Sequence, residues 1–459
     1  MKRLFAVGMF SLLLLSNPVL SHADCNRLLS GSWSASIHDL AKLRFDLDQK
    51  RAAGIDDAVR RALEDEYQKK IAEIVRTTPE LEPTLQAEIS AEIGKIQGET
   101  VTRETEVVRQ REDEAREIEE NRREMSFFDG LKESRAWHLQ SELPDGSLLV
   151  TGGKDVSGVP LSSIERVDLK KKASVMIGSF LDLRTDYAHT VLPDGRLLVS
   201  GGLFRDTRPL TSVEIIDPIR KTVEKFGDLK NHRFNHHQVL LPDGRVLILP
   251  GTGDYLTRVE IVDVKQGTIQ PFGGLKFPVK DATTALLSDG RVMIVGKHER
   301  SKSLFVEVFD PATHSSQYLG KIAGIHPRAT ISIQPDGTIL ACGGVDGSTA
   351  FSDVFVWNPF QKILKKIGDL SEPKYDMIPS RLPDGRVFLS GGADSMAHTV
   401  TRLEVVDLAQ GTVDPVGDLP EPMWLYSQTA LSNGTVVITG GYGNDGQKRS
   451  VILIQVGRR

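Results

Sequence analysis

Cysteine is nearly absent from this 459-residue chain, which carries Cys25 and Cys342 and no other. Two thiols can form one bridge at most, so a disulfide-built scaffold is excluded. An excess of positive charge is missing too. Against 57 Lys and Arg stand 62 Asp and Glu, a formal net charge of -5. That balance offers nucleic acid no general attraction, and no nucleic-acid partner is expected. Beyond Leu15 no stretch is continuously apolar over the ~20 residues that a membrane-spanning helix needs. A Ser nucleophile elbow, a phosphate loop and a Ser-x-Asp-x-Gly-x-Thr-Trp box are all lacking, which removes the most legible routes to catalysis.

What is present begins with an export signal. Lys2 and Arg3 precede an apolar run from Leu4 to Leu15, followed by Pro18 and by Ser21-His22-Ala23, with small residues where a signal peptidase reads. Cleavage after Ala23 is expected, giving a periplasmic or extracellular protein. A lipid anchor on Cys25 is the competing reading, and Asp24 stands against it, since such a site needs a small residue there. Cys342 lies in an apolar strand and is expected to be a buried small hydrophobe.

The strongest signal is a seven-fold repeat. Leu143-Pro144-Asp145-Gly146 recurs at Leu192, Leu241, Leu287, Gln334, Leu382 and Leu431, the glycines falling 46 to 49 residues apart. Proline pre-sets the first turn position, aspartate tolerates the second, and glycine supplies the left-handed conformation, so each copy opens on a hairpin. An apolar strand ending in a glycine pair follows, as in Arg196 to Gly202, then a Glu-x-x-Asp strand such as Glu214 to Asp217, then a strand ending like Phe226-Gly227-Asp228-Leu229. Each copy therefore holds four strands. Copies of this kind bury both faces only by stacking radially.

In these features residues 124–459 resemble the kelch repeat, in the Asp-Gly form of galactose-oxidase-like propellers. The resemblance implies an all-β, seven-bladed propeller. Two departures stand out: the usual Tyr and Trp after the glycines are largely aliphatic, and copies three and four read Pro250-Gly251 and Val295-Gly296 instead of a glycine pair. No Trp-Asp dipeptide occurs, so a WD-type propeller fits less well. Copy seven has three strands, and residues 124–130, with Phe128 and Leu131 spaced like Phe226 and Leu229, are expected to supply its outer strand and leave no bare edge.

Residues 24–123 differ in composition, poor in glycine and rich in Glu, Arg, Lys and Ala. Apolar stripes at Leu40, Leu43 and Leu47, at Val59, Leu63, Tyr67, Ile71 and Ile74, and at Leu85, Ile89, Ile93 and Ile96 predict about three helices. From Thr100 to Glu124 alternating Glu and Arg predict a charged helical connector. The region reads either as a brace or as a docking element capable of self-association.

Ligands of propellers are usually met by loops around the channel mouth. Eight residues before the Leu of each turn stand Arg135, Arg184, Arg233 and Lys374, with His326 and Arg328 in copy five. The resemblance suggests that such arginines bind acidic groups of a peptide or sugar, and a guanidinium can hold a carboxylate through two bonds. Alternatively each pairs with a neighbour such as Asp186 or Asp228. Trp137, Tyr187, Phe234, Trp424 and Tyr426 share this zone. His232, His236 and His237 form the densest histidine cluster, but His236 and His237 would face opposite ways on a strand, so no metal site is expected and His236 is kept as a binding residue. No cofactor is expected.

The candidate binding set is thus Arg135, Arg184, Arg233, Lys374, Arg328, His236, Trp137, Trp424 and Tyr426, with no catalytic residue. Galactose oxidase itself implies copper ligands from a further domain and a cross-linked Tyr and Cys, for which this chain offers no counterpart. The expectation is an exported, non-enzymatic binding module for a protein or glycan ligand. The alternative is a kelch-type carbohydrate-acting enzyme, an epimerase or oxidase-like protein.

Overall fold

The computed structural model describes residues 125–457, apart from 206, 253–256 and 299–302, together with Gln68, Lys69 and Ala72. The chain divides into two compact units, 1–115 and 116–459. Of the first, the three described residues are helical and exposed. The signal segment, Cys25, the apolar stripes and the charged connector lie outside the described residues, apart from those three.

The second unit is all-β. Of its 35 described strands, 28 fall into seven four-stranded antiparallel groups, here sheets 1 to 7, whose first strands begin at Leu139, Ala188, Gln238, Val279, Thr330, Ile378 and Ser427, and the other seven form short two- and three-stranded ribbons. Sheet 1 is typical: Leu139–Glu142, Leu148–Thr151, Ser163–Asp168 and Ala173–Ser179 pair in that order. Sheets 3 and 4 are also joined by one parallel bridge between Gly274 and Ser315 on their fourth strands. In sheet 7 the fourth position is taken by Met125–Asp129, which pairs antiparallel with Ser450–Gln455.

Local chemistry explains why every copy folds alike. In the opening hairpin the Gly146 N–H donates to the Leu143 carbonyl at 2.8 Å, and Asp145 accepts from the Ser147 N–H at 3.0 Å. Gly146 has φ +79, a conformation that glycine adopts without strain. The Asp of Glu-x-x-Asp ends the third strand by accepting from the next turn, as Asp168 does from the N–H groups of Lys170 and Lys171. Between third and fourth strands the register slips at the same place in sheets 1 to 6, leaving Ile177, Phe226, Phe272, Leu319, Ile367 and Val416 as the extra residue. Such a bulge bends the outer strand and sharpens its twist.

The second strand of each sheet is buried on both faces, as Leu148–Thr151 illustrates. Seven apolar clusters fill the gaps between consecutive sheets among the described residues. Leu149 and Ile164 of sheet 1 meet Tyr187 and Val199 of sheet 2, and the series closes where Val437 and Val451 of sheet 7 meet Leu148 and Val167 of sheet 1. The first strands likewise touch one another in a closed cycle. Each sheet thus depends on both neighbours for its core.

Candidate functional site

Before each first strand, or within its first residues in sheet 4, the chain passes through a residue of left-handed backbone: Trp137, Asp186, Asn235, Asp281, Arg328, Asp376 and Leu425, with φ between 47° and 57° for the first six and 58° for Leu425. Each stands six residues before the turn leucine or its Gln334 equivalent. Non-glycine residues pay for this conformation, Asp and Asn least, so a tertiary constraint must hold it. Backbone bonds between neighbouring copies supply part of that constraint. Trp137 N–H donates to the Leu425 carbonyl (3.0 Å) and Asn235 N–H to that of Asp186 (2.8 Å). Since the first strands form a cycle, these residues ring one mouth of it. All but Leu425, which is half-buried, are exposed.

The four cations singled out from sequence lie two positions earlier and point inward, which corrects their reading as ligand-facing rim residues. Arg135, Arg184 and Lys374 are fully buried and Arg233 nearly so. Arg135 pairs with Glu165 at 2.5 Å, Arg233 with Glu260 at 2.5 Å, Lys374 with Glu404 at 2.6 Å, and Arg184 with Glu214. Each partner is the Glu of Glu-x-x-Asp in the same sheet, not Asp186 or Asp228, the neighbours that sequence alone suggested. The glutamate also accepts from the segment that crosses from the preceding sheet, as Glu165 does from Lys132 N–H (2.7 Å) and Glu133 N–H (3.2 Å). Other guanidinium hydrogens meet carbonyls and serine hydroxyls, Arg135 donating to Gly152 O at 2.8 Å and Ser163 Oγ at 3.0 Å, and Arg184 to Gly201 O at 2.9 Å. A charge buried in this way has no face left for a ligand.

His236 and Tyr426 are buried as well and join neighbouring sheets. His236 shares a 2.7 Å bond with Ser200 Oγ, and Tyr426 Oη one of 2.7 Å with Ser390 Oγ. Tyr187 Oη donates to the Thr151 carbonyl at 2.7 Å. Burial, reinforced by Arg233, holds His236 well below the ordinary histidine range, and burial likewise lowers His237. Buried between sheets, His236 and Tyr426 have no face for a ligand, and their assignment as binding residues is corrected on that ground. Phe234, also half-buried, bridges to Thr252.

Three predicted residues do reach solvent. Arg328 is a member of the mouth ring, pairs with Asp376 and lies over the Tyr375 ring at 4.4 Å. Trp137 and Trp424 are 52% and 43% exposed. Between them stands Tyr442, stacked on Trp424 (centroids 5.8 Å, planes 15° apart) and edge-on to Trp137 (6.2 Å, 76°). Lys154 lies 5.5 Å from the centre of the Trp137 ring. Sequence reasoning missed Tyr442, Lys154 and the acidic members of the ring, Asp281 and Asp376, and considered Asp186 only as a partner for arginine. The constant six-residue offset was the signal that could have found the ring.

No protein-family model matches the chain, and no curated protein matches it by sequence. Among solved structures it is similar to a fungal alcohol oxidase of the AA5 family, determined in complex with copper, at 15% identity and a TM-score of 0.55 over 72% of this chain and 75% of that one. The chain has a galactose-oxidase-like β fold. The structure it resembles is that of an enzyme, which runs against the expectation of a non-enzymatic binding module. A copper centre does not fit the described residues, however. No group of three or more His, Cys, Asp or Glu among them is placed to hold a metal ion, and the one described cysteine, Cys342, is a buried free thiol. No step is derived through copper.

Proposed function

We propose that the seven sheets are blades of a kelch-type propeller closed by Met125–Asp129, and that the chain is a carbohydrate-acting enzyme working at the mouth its first strands enclose. The cyclic order of the apolar clusters supports the propeller, together with the pairing of Met125–Asp129 onto Ser450–Gln455. The likeness to an alcohol oxidase supports the choice of a hydroxyl-bearing substrate. One observation carries the site: the carboxylates of Asp186, Asp281 and Asp376 share a mouth with exposed aromatic faces.

The chemistry follows from those groups. Stacking holds a sugar by its C–H face, and a carboxylate within reach can take the proton from a carbon next to the sugar's carbonyl, an open-chain aldehyde or a uronic acid carboxyl. The electron pair is left as an enolate, and a second carboxyl returns a proton to the opposite face, as an epimerase requires. Arg328, next to Asp376, offers the cation that a developing oxyanion needs. Export through residues 1–23 and a docking or self-associating role for residues 24–123 belong to the same proposal and rest on sequence.

The test uses the full chain with neutral hexoses, N-acetylhexosamines and uronic acids in heavy water. One class should exchange a carbon-bound hydrogen or yield an epimer, read by proton NMR. Changing Asp186, Asp281 or Asp376 to Asn should slow that exchange about a hundredfold or more in at least one case. A protein inert toward every class, or exchange that survives all three changes, would overturn the proposal.

A further inference from the structure

The aromatic shelf where sheet 7 meets sheet 1 is more extensive than one sugar needs. Trp137 enters sheet 1 and Trp424 enters sheet 7, while Tyr442 follows the glycine pair of sheet 7. Isolated bridges fix the shelf from beneath, Trp424 to Tyr442 and Ala136 to Lys154. Tyr442 is nearly parallel to Trp424 and steeply inclined to Trp137. The two indoles therefore lie far from coplanar, and a single pyranose lying flat on one cannot lie flat on the other.

Both indoles are nonetheless about half exposed, a large apolar area to leave in water. An indole pair beside a cation suits a ligand with apolar faces and polar edges, which is what a sugar chain presents. Small aliphatic or lipid ligands would want an enclosed apolar pocket, and here the surroundings are polar. Glu421, Lys448 and Asp445 form an ion-pair group next to the shelf, where Glu421 accepts from Asn444 N–H at 2.9 Å and Lys448 Nζ lies 2.5 Å from Glu421.

Building on the proposed carbohydrate chemistry, we infer that the substrate is an oligosaccharide, two of whose units stack separately on Trp137 and Trp424. The two faces act as consecutive subsites, and the angle between them selects a chain that bends at the intervening linkage. Binding strength then depends on chain length: a monosaccharide occupies one face, and a longer chain gains from both.

Titration calorimetry of the full chain with cello-, chito- and galacturonan oligosaccharides of one to six units tests this. One series should bind about ten times or more tighter as it lengthens from one unit to three. Trp137→Ala and Trp424→Ala should each remove that gain while leaving the urea midpoint in place, and Trp137→Tyr should restore part of it. Affinity that is independent of length, or a length gain that survives both alanine changes, would overturn the inference. If oligosaccharides bind in this manner yet no carbon-bound hydrogen exchanges, the enzyme proposal fails and the shelf stands. If exchange occurs on monosaccharides with both alanine variants unaffected, the shelf fails and the enzyme proposal stands.

Discussion

Two arcs of the same cycle solve one packing problem by different chemistry. The residue eight positions after each turn leucine, or its Gln334 equivalent, runs Thr151, Ser200, Leu249, Val295, Cys342, Ser390 and Thr439 from sheet 1 to sheet 7. The residue five positions before the turn leucine of the next copy, or its Gln334 equivalent, runs Tyr187, His236, Ala282, Ala329, Met377, Tyr426 and His138. Where the first is a hydroxyl, the second is a Tyr or His that bonds to it: Thr439 to His138 at 2.7 Å, Thr151 to Tyr187 at 2.8 Å, Ser200 to His236 at 2.7 Å and Ser390 to Tyr426 at 2.7 Å. Where the first is apolar, the second is Ala or Met, and both sides of the contact are free of polar groups to satisfy. Four junctions from sheet 6 round to sheet 3 are polar, and the three from sheet 3 to sheet 6 are not.

The buried charges divide nearly along the same line. Sheets 1, 2, 3 and 6 hold a cation against the glutamate that anchors the crossing segment, whereas sheet 4 has Val279 at the cation position. Glu307 there accepts from Lys276 N–H (2.9 Å), Phe277 N–H (2.8 Å) and Ser316 Oγ (2.7 Å), with no ion pair among the described residues. In sheet 5 His326 pairs with Asp353 at 3.0 Å and stacks on Phe351 at 3.5 Å. Anchoring the crossing segment is therefore the essential duty of the glutamate, and the cation is a local way of making a buried carboxylate tolerable. Removing a cation from sheets 1, 2, 3 or 6 should hurt more than trimming the apolar residue that stands in its place in sheet 4.

The largest expected effect follows from that contrast. Arg135→Met leaves Glu165 buried without its charge partner and should destabilise by about 3–5 kcal/mol in urea titration, while Val279→Ala should cost about 1–2 kcal/mol from lost apolar contact. Equal losses would show that the ion pairs are dispensable. Next come the junctions. Ser200→Leu and His236→Ala each strand a polar group or leave a gap and should cost about 2–3 kcal/mol. The double variant copies the Leu249 and Ala282 pair of the neighbouring junction and should recover about 1 kcal/mol or more of their sum. Strict additivity would mean that the two arcs are not interchangeable solutions.

Acid should distinguish the arcs as well. Burial, with a smaller push from Arg135, draws His138 down to about 3, and burial draws His189 down to about 4. Both are neutral in the folded chain and take up a proton readily once unfolded, where the ordinary value is 6.5. Their contribution is complete above about pH 6.5 and is lost progressively as pH falls from there, the loss ending at about 4 for His189 and about 3 for His138. Hydrogen exchange should therefore loosen sheets 1 and 2 in that window before sheet 5, and the order should reverse if histidine burial is not the cause. The smallest effect belongs to the turns. Arg196 pairs with Asp194 at 2.7 Å in solvent, and Arg196→Ala should shift stability by no more than about 0.5 kcal/mol.

Much of the fold was legible because its signals are local. The Asp-Gly turn, the strand that follows and the Asp that closes the third strand each act within a few residues, so their roles can be read off their spacing. The candidate site was legible only in part. Arg135, Arg184 and Arg233 recur at a fixed offset, which marks a place in the copy but not a direction, and their glutamate partners lie on the third strand of the same sheet. Trp137 and Trp424 were visible as aromatic residues near a mouth. Tyr442, which stands between them, was not, because it lies in a different loop, after the glycine pair, where its counterparts Lys154, Leu203, Thr252 and Ala393 are not aromatic.

By itself the sequence determined the period, the turns and the four strands of each copy, since all of these follow from backbone preferences over short spans. Which side chains face water was decided by the tertiary structure alone. A left-handed residue turns the chain at each mouth, sends the preceding cation into the core and leaves its own side chain outside. The shelf arises for the same reason: Trp137 and Trp424 belong to the first and last copies, and only the packing of sheet 7 against sheet 1 places them around Tyr442.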